Sequence, residues 1–92
     1  MATQAVEADG DSIEATMLRI IDERGVAKTV CPSEIARALG GPQPDDWRRL
    51  MAPVRRVAVR LATEGRIAIL RKGQPVADPT DFRGIYRLGL PR

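Results

Sequence analysis

The chain has 92 residues and a net charge of +3, enough for one domain with a modest core and too few for two. No apolar run approaches the roughly 20 residues of a membrane helix. It has no histidine and a single cysteine, Cys31, so the commonest general acid–base and metal ligand is missing and no intramolecular disulfide, Cys–His pair or standard zinc set can form. No cofactor, no metal and no enzymatic activity are expected, and a cytoplasmic location is the default reading.

Residues 1–11 are acidic and rich in small side chains, without the basic start and apolar stretch of a secretory signal, and are read as a disordered tail. A single domain over residues 12–92 follows. Ser12 is a good N-cap, and Ile13, Met17, Ile20 and Ile21 recur at helical spacing up to Gly25, which predicts a first helix over 12–24. Lys28-Thr29-Val30-Cys31 is a brief β-prone stretch. Pro32 then suits a first helical position, with Glu34 complementing the dipole, and Ile35, Ala36 and Leu39 share one face up to Gly40-Gly41. The second helix is placed at 32–39.

Gly40-Gly41-Pro42-Gln43-Pro44 is a turn by composition, after which Asp45 or Asp46 is expected to cap a helical pattern running from 46 to 64. Pro53 forbids a straight uninterrupted helix there. Either the helix kinks, or a short helix over 46–51 precedes a separate one with Pro53 at its first position, and the second arrangement is favoured. Gly65 ends the run. A strand over 66–71, a turn over 72–75, a loop over 76–83 and a returning strand over 84–90 complete the chain. The order of helix, short strand, helix, helix, strand, loop and strand is that of a winged helix-turn-helix, a mainly α fold with a small β-hairpin (α+β). The corner Leu61-Ala62-Thr63-Glu64-Gly65-Arg66-Ile67, where a helix stops at glycine and passes into a strand, supports it.

The strings Cys31-Pro32-Ser33-Glu34-Ile35-Ala36-Arg37 and Trp47-Arg48-Arg49-Leu50-Met51, with Val54-Arg55 and the Gly65-Arg66-Ile67 corner, resemble a small bacterial family catalogued as domain of unknown function thirty-two fifty-three. The likeness runs from about residue 12 to residue 90. It implies a stand-alone bacterial winged helix and no particular activity. One departure is visible: the family often has Gly-Pro before its last hydrophobic-Arg-Leu, whereas here Gly84 is followed by Ile85-Tyr86-Arg87-Leu88. A more fully paired last strand is therefore expected.

Charge is unevenly divided. Residues 1–46 carry four basic and nine acidic side chains, a balance of −5, and residues 47–92 carry eleven basic and three acidic, a balance of +8. Such asymmetry points to a polyanionic partner. On a helical wheel of 47–64, Leu50, Val54, Val57, Ala58 and Leu61 gather on a core face. Arg49, Ala52, Arg56, Val59, Arg60 and Thr63 lie opposite, flanked by Arg48 and Arg55. The helix that a winged helix lays in the major groove thus presents arginines and small residues, and an arginine fork bonds two acceptors at once on a guanine edge or a phosphate. Arg55 and Arg56 are the candidates for base edges, and Arg49 and Arg60 for phosphate. Arg71, Lys72 and Arg83 would act from the wing, and Ser33 with the first amides of the second helix would hold a further phosphate. Double-stranded DNA is the expected partner. If about five of these groups neutralised phosphates, the salt slope would be about −4.5.

Against this stand a purely solvated arginine-rich surface and a protein-docking role, whose sign would be an exposed apolar patch. Val59, Val76 and Phe82 are the scattered hints of one. A specific reader of DNA is expected to dimerise, yet no dimerisation helix follows the wing, which favours a monomeric, low-specificity binder or a partner supplied in trans. Trp47 and Tyr86 are read as packing residues. Cys31, just before a helix N-terminus, suggests a redox switch or simply a small buried residue. The acid pairs Asp22-Glu23 and Asp45-Asp46 are explained by solvation and capping.

Overall fold

The computed structural model describes residues 9–92. Most of the tail expected at 1–11 lies outside the described residues, but its end does not: helix α1 spans Gly10–Arg24. Its N-cap is Asp9, whose carboxylate accepts from the Ser12 amide at 2.7 Å, so Ser12 is a first-turn residue and not the cap. A carboxylate there also suits the positive end of the helix. Gly25, at φ +91°, closes the helix through its amide to the Ile21 carbonyl.

Helix α2 spans Pro32–Gly40, with Pro32 at its first position. Glu34 reaches back to accept from the Cys31 amide at 2.9 Å, one half of a capping box. Helix α3 spans Pro44–Arg48 and helix α4 spans Met51–Thr63. The long pattern is therefore broken, as expected, but three residues before Pro53. Pro44 starts α3 after Gln43, with Asp45 and Asp46 in the first turn and not at the cap. Pro53 is the third residue of α4, where its missing N–H has no intrahelical partner to lose.

α4 ends in two bonds, Gly65 N–H to the Ala62 carbonyl at 3.0 Å and Arg66 N–H to the Leu61 carbonyl at 2.9 Å, with Gly65 at φ +78°. These are the paired bonds of a Schellman motif. They turn the chain directly into β1, Ala68–Arg71, two residues later than the 66–71 expected. β1 folds back on β2, Gln74–Pro75, through Lys72 and Gly73 at φ +53° and +81°. Two consecutive positive φ values make the tight turn whose twist matches the flanking strands. Gln74 and Pro75 thus belong to a strand, not to a turn over 72–75.

β3, Arg87–Gly89, pairs antiparallel with the other side of β1, Leu88 opposite Ile69. The sheet order is β2-β1-β3, and Val30 forms a two-bond bridge with Leu88 on the outer side of β3. The segment before α2 thus pairs with the last strand, which pairs with the strand after α4. That is the winged-helix topology, and the fold is α+β. The last strand is shorter than the 84–90 expected, because residues 84–86 leave the ladder to form the end of the wing loop, 76–86.

The core lies where the three long helices meet the sheet: Ile13, Met17 and Ile21 from α1, Ile35 and Ala36 from α2, the expected Leu50, Val54, Val57, Ala58 and Leu61, and Ile69 and Leu88 from the sheet, all buried. Trp47 is half-buried against this core with Arg37 4.9 Å from its ring centre, and Tyr86 is buried, so both are packing residues. Among the described residues no helix is long and apolar enough to cross a membrane.

Candidate nucleic-acid interface

With Leu50, Val54, Val57, Ala58 and Leu61 turned inward, the helical repeat directs Ala52, Arg56, Val59 and Thr63 outward from α4. Ala52, Arg56 and Thr63 are exposed and Val59 is half-buried. The Thr63 hydroxyl donates to the Val59 carbonyl one turn back at 2.8 Å, which leaves its methyl group outermost. Arg56 is therefore the one arginine at the centre of this face, surrounded by small side chains. It makes no hydrogen bond or ion pair among the described residues.

Several arginines assigned to this face are used elsewhere. Arg60 leaves along the edge toward α1, where its guanidinium lies 2.7 Å from Glu14 and 3.6 Å from Glu64. Arg66 joins the same acids at 3.0 and 3.7 Å. The hydrogen bond from Arg60, then that from Arg66, holds the Glu14 carboxyl below its ordinary value, and the same bond raises Arg60. Two guanidinium groups and two carboxylates cancel one another, and Arg60 is not free to neutralise a phosphate.

Arg55 departs from the other flank. It donates to the Phe82 carbonyl at 2.7 Å, with its guanidinium 4.0 Å from the Phe82 ring centre and 5.6 Å from that of Tyr86. The two rings stack edge to face at 5.1 Å. Arg55 is a clamp between α4 and the wing loop, placed where a reader of base edges would have to be unoccupied. Arg71 does similar work lower down: its Nε donates to the Ile85 carbonyl at 3.1 Å, and its guanidinium fills the space a side chain would take at Gly84. Nothing in sequence spacing marks these two contacts, since each links residues that only the wing's return path brings together.

The clamps hold residues that adjoin two of the free cations in sequence. Arg83 follows the Phe82 that Arg55 holds, and Lys72 follows the Arg71 that holds Ile85. Both are exposed and without partners among the described residues, as is Arg48 at the end of α3. Arg49 is exposed and makes one long bond, 3.3 Å, to the Asp46 carbonyl. Ser33 stands half-buried in the first turn of α2 with its hydroxyl 3.1 Å from Cys31 Sγ. That hydroxyl is already occupied, which weakens its assignment to phosphate.

Elsewhere Arg24 bonds Glu34 at 2.6 Å and the Thr29 carbonyl at 3.1 Å, tying α1 to the start of α2. The Glu34 carboxyl is held below its ordinary value chiefly by that arginine. Among the described residues no group of three or more carboxylates, cysteines or histidines is placed to hold a metal ion.

No curated protein matches the chain. A family model described as a protein of unknown function (DUF3253) matches residues 10–91, from the first residue of α1 to just past the last strand. Since that span is nearly the whole chain, the protein belongs to the DUF3253 family.

Proposed function

We propose that this protein binds double-stranded DNA, laying the outward face of α4 in the major groove with the wing beside it, in a transcription-related or nucleoid-type role. The observation that carries this reading is the set of four exposed cations, Arg48, Arg56, Lys72 and Arg83, none with a carboxylate at ion-pair distance among the described residues. Arg56 acts from the centre of the helix face. Ala52 and Thr63, small on either side of it, let the backbone approach a duplex closely. Arg48, Lys72 and Arg83 contact phosphate, and Arg56 contacts a base edge or phosphate according to sequence. One central arginine supports modest discrimination, about 1–3 kcal/mol for a bidentate guanine contact. Phosphate contacts supply the rest of the affinity.

The test is fluorescence anisotropy of a labelled random-sequence duplex at low salt. Arg60→Ala, which leaves one carboxylate uncancelled, binds somewhat more weakly than wild type, whereas Arg56→Ala combined with Lys72→Ala binds weakly or not at all. Absence of binding by the wild-type protein at low salt would end this reading, and an Arg60→Ala defect as large as the Arg56→Ala defect would move the contact surface to the α1 edge.

A further inference from the structure

Two large hydrophobic residues are exposed among the described residues, Val26 and Ile85. Val26 stands alone on the connection after α1. Ile85, 85% exposed, does not: it forms the lip of a hollow of about 360 Å³ whose other walls are Cys31 and Pro32 at the start of α2, Met51 at the start of α4, and Gly84 and Tyr86 of the wing. Isolated apolar side chains on a surface are ordinary. An exposed apolar side chain beside an apolar groove that it leaves open offers a place for one apolar side chain of a partner. Val76 and Phe82, by contrast, pack against the core.

The groove is held open by charge. Arg71 fixes the Ile85 carbonyl and lies against Gly84, and Arg55 fixes the Phe82 carbonyl and lies over Tyr86. Pinned at two carbonyls, the wing loop carries Ile85 at the lip of the hollow and not inside it. Neither arginine is paired with a carboxylate among the described residues. Arg83 and Arg87, both exposed, flank the residues of the lip. Arg87 donates to Thr29, again a neutral partner. Glu34 accepts from the amide of Cys31 in the groove wall, and Arg24 pairs with it, with Arg87 adding to the positive field there. Two guanidinium groups thus lie against the walls of an apolar floor, Arg71 at Gly84 and Arg55 at Tyr86, and Arg83 and Arg87 adjoin the lip in sequence.

We propose that this groove docks an acidic segment of another protein, which inserts one bulky apolar side chain against Ile85, Met51 and Tyr86 while its carboxylates meet the exposed Arg83 and Arg87, with Arg55 and Arg71 adding their positive field from behind the groove wall. Electrostatic complementarity of this kind selects an acidic partner and repels a basic one. The apolar anchor supplies most of the affinity, and the preformed groove spares the cost of ordering the loop. A rigid duplex has no side chain to enter the hollow, and an uncharged small molecule leaves the arginines unused. This site does not rest on the DNA-binding proposal, and because Arg83 is common to both surfaces a partner docked here competes with a duplex for that side chain.

The experiment is selection of a displayed random peptide library on the intact protein, followed by titration of synthesised winners. Expected winners carry Asp and Glu around one large aliphatic or aromatic residue. They bind Ile85→Asp and Arg83→Glu at least about tenfold more weakly than wild type, and they slow alkylation of Cys31 in the groove wall. Ile85 is too exposed for its substitution to unfold the domain, and unchanged circular dichroism confirms that. The proposal is overturned if no peptide is enriched, if winners lack acidic residues, if Ile85→Asp binds them as wild type does, or if Cys31 stays unprotected. Concentration-dependent self-association abolished by Ile85→Asp would overturn it too, by making a second copy of this chain the occupant.

Discussion

Replacing Glu14 by Gln isolates the electrostatics of the proposed interface. In the folded protein Glu14 and Glu64 cancel Arg60 and Arg66, so wild type offers a duplex four unpartnered cations. At about 0.9 counterions released per phosphate neutralised, log K falls with log salt at a slope of about −3.6, which weakens binding roughly 150-fold between about 50 and 200 mM salt. Glu14→Gln leaves two arginines facing one carboxylate. The uncancelled charge lies on the α4 edge one turn beyond Arg56, within reach of the same phosphates. The slope steepens to about −4.5, roughly a 500-fold loss over the same range, and low-salt affinity rises. The assay is anisotropy across a salt series with one fixed duplex. Exposed ion pairs contribute little to stability, so the melting temperature checks that the fold is unaltered. A slope unchanged by Glu14→Gln, or made shallower, would refute both the count of free cations and the placement of the duplex along α4.

Arg55→Ala removes the clamp on Phe82 and its contact with the ring, and is expected to cost about 1–2 kcal/mol. Limited proteolysis should then cut within residues 76–86 faster than in wild type, while Arg56→Ala leaves cleavage unchanged. Gly40→Ala would put a methyl group 2.7 Å from the Asp46 carbonyl oxygen and 2.9 Å from Leu50. Forcing α2 and α3 apart costs about 1–3 kcal/mol, more than the gain of up to about 1 kcal/mol in helix propensity returns. Thermal melting should show a lower midpoint, whereas Gly10→Ala, whose added methyl group meets nothing, should not lower it. Glu34 has a depressed pKa in the folded state, caused first by Arg24. Its stabilising contribution is therefore present above the unfolded value near 4.5 and is lost as pH falls through the folded value. Urea midpoints measured across that acidic range should fall less steeply for Glu34→Gln than for wild type.

Fold and interface differ in how much of each is written locally. Apolar residues at helical spacing, Pro32 after a β-prone stretch, and the Gly65 corner are short-range signals, and they define α1, α2, the inward face of α4 and the turn into β1 without knowledge of the rest. Errors at that level are shifts of a few residues with local causes. Asp9 outcompetes Ser12 for the cap, and Pro53 is harmless anywhere in a first turn. Lys72-Gly73 closes the hairpin at once, so Gln74 and Pro75 become strand, and the long loop, still starting at residue 76, runs on to residue 86. The arginines are another matter. A helical wheel tells which way Arg55, Arg56 and Arg60 leave α4, and it cannot tell what waits there. Glu14 is 46 residues from Arg60 and Phe82 is 27 from Arg55. Because a guanidinium on a long stem takes whichever acceptor tertiary packing brings within reach, folding alone decided that Arg60 is cancelled, that Arg55 and Arg71 hold the wing, and that Arg56 is left facing outward. The groove under Ile85 has the same origin: its walls come from three separate stretches of chain, none apolar enough to be noticed in sequence.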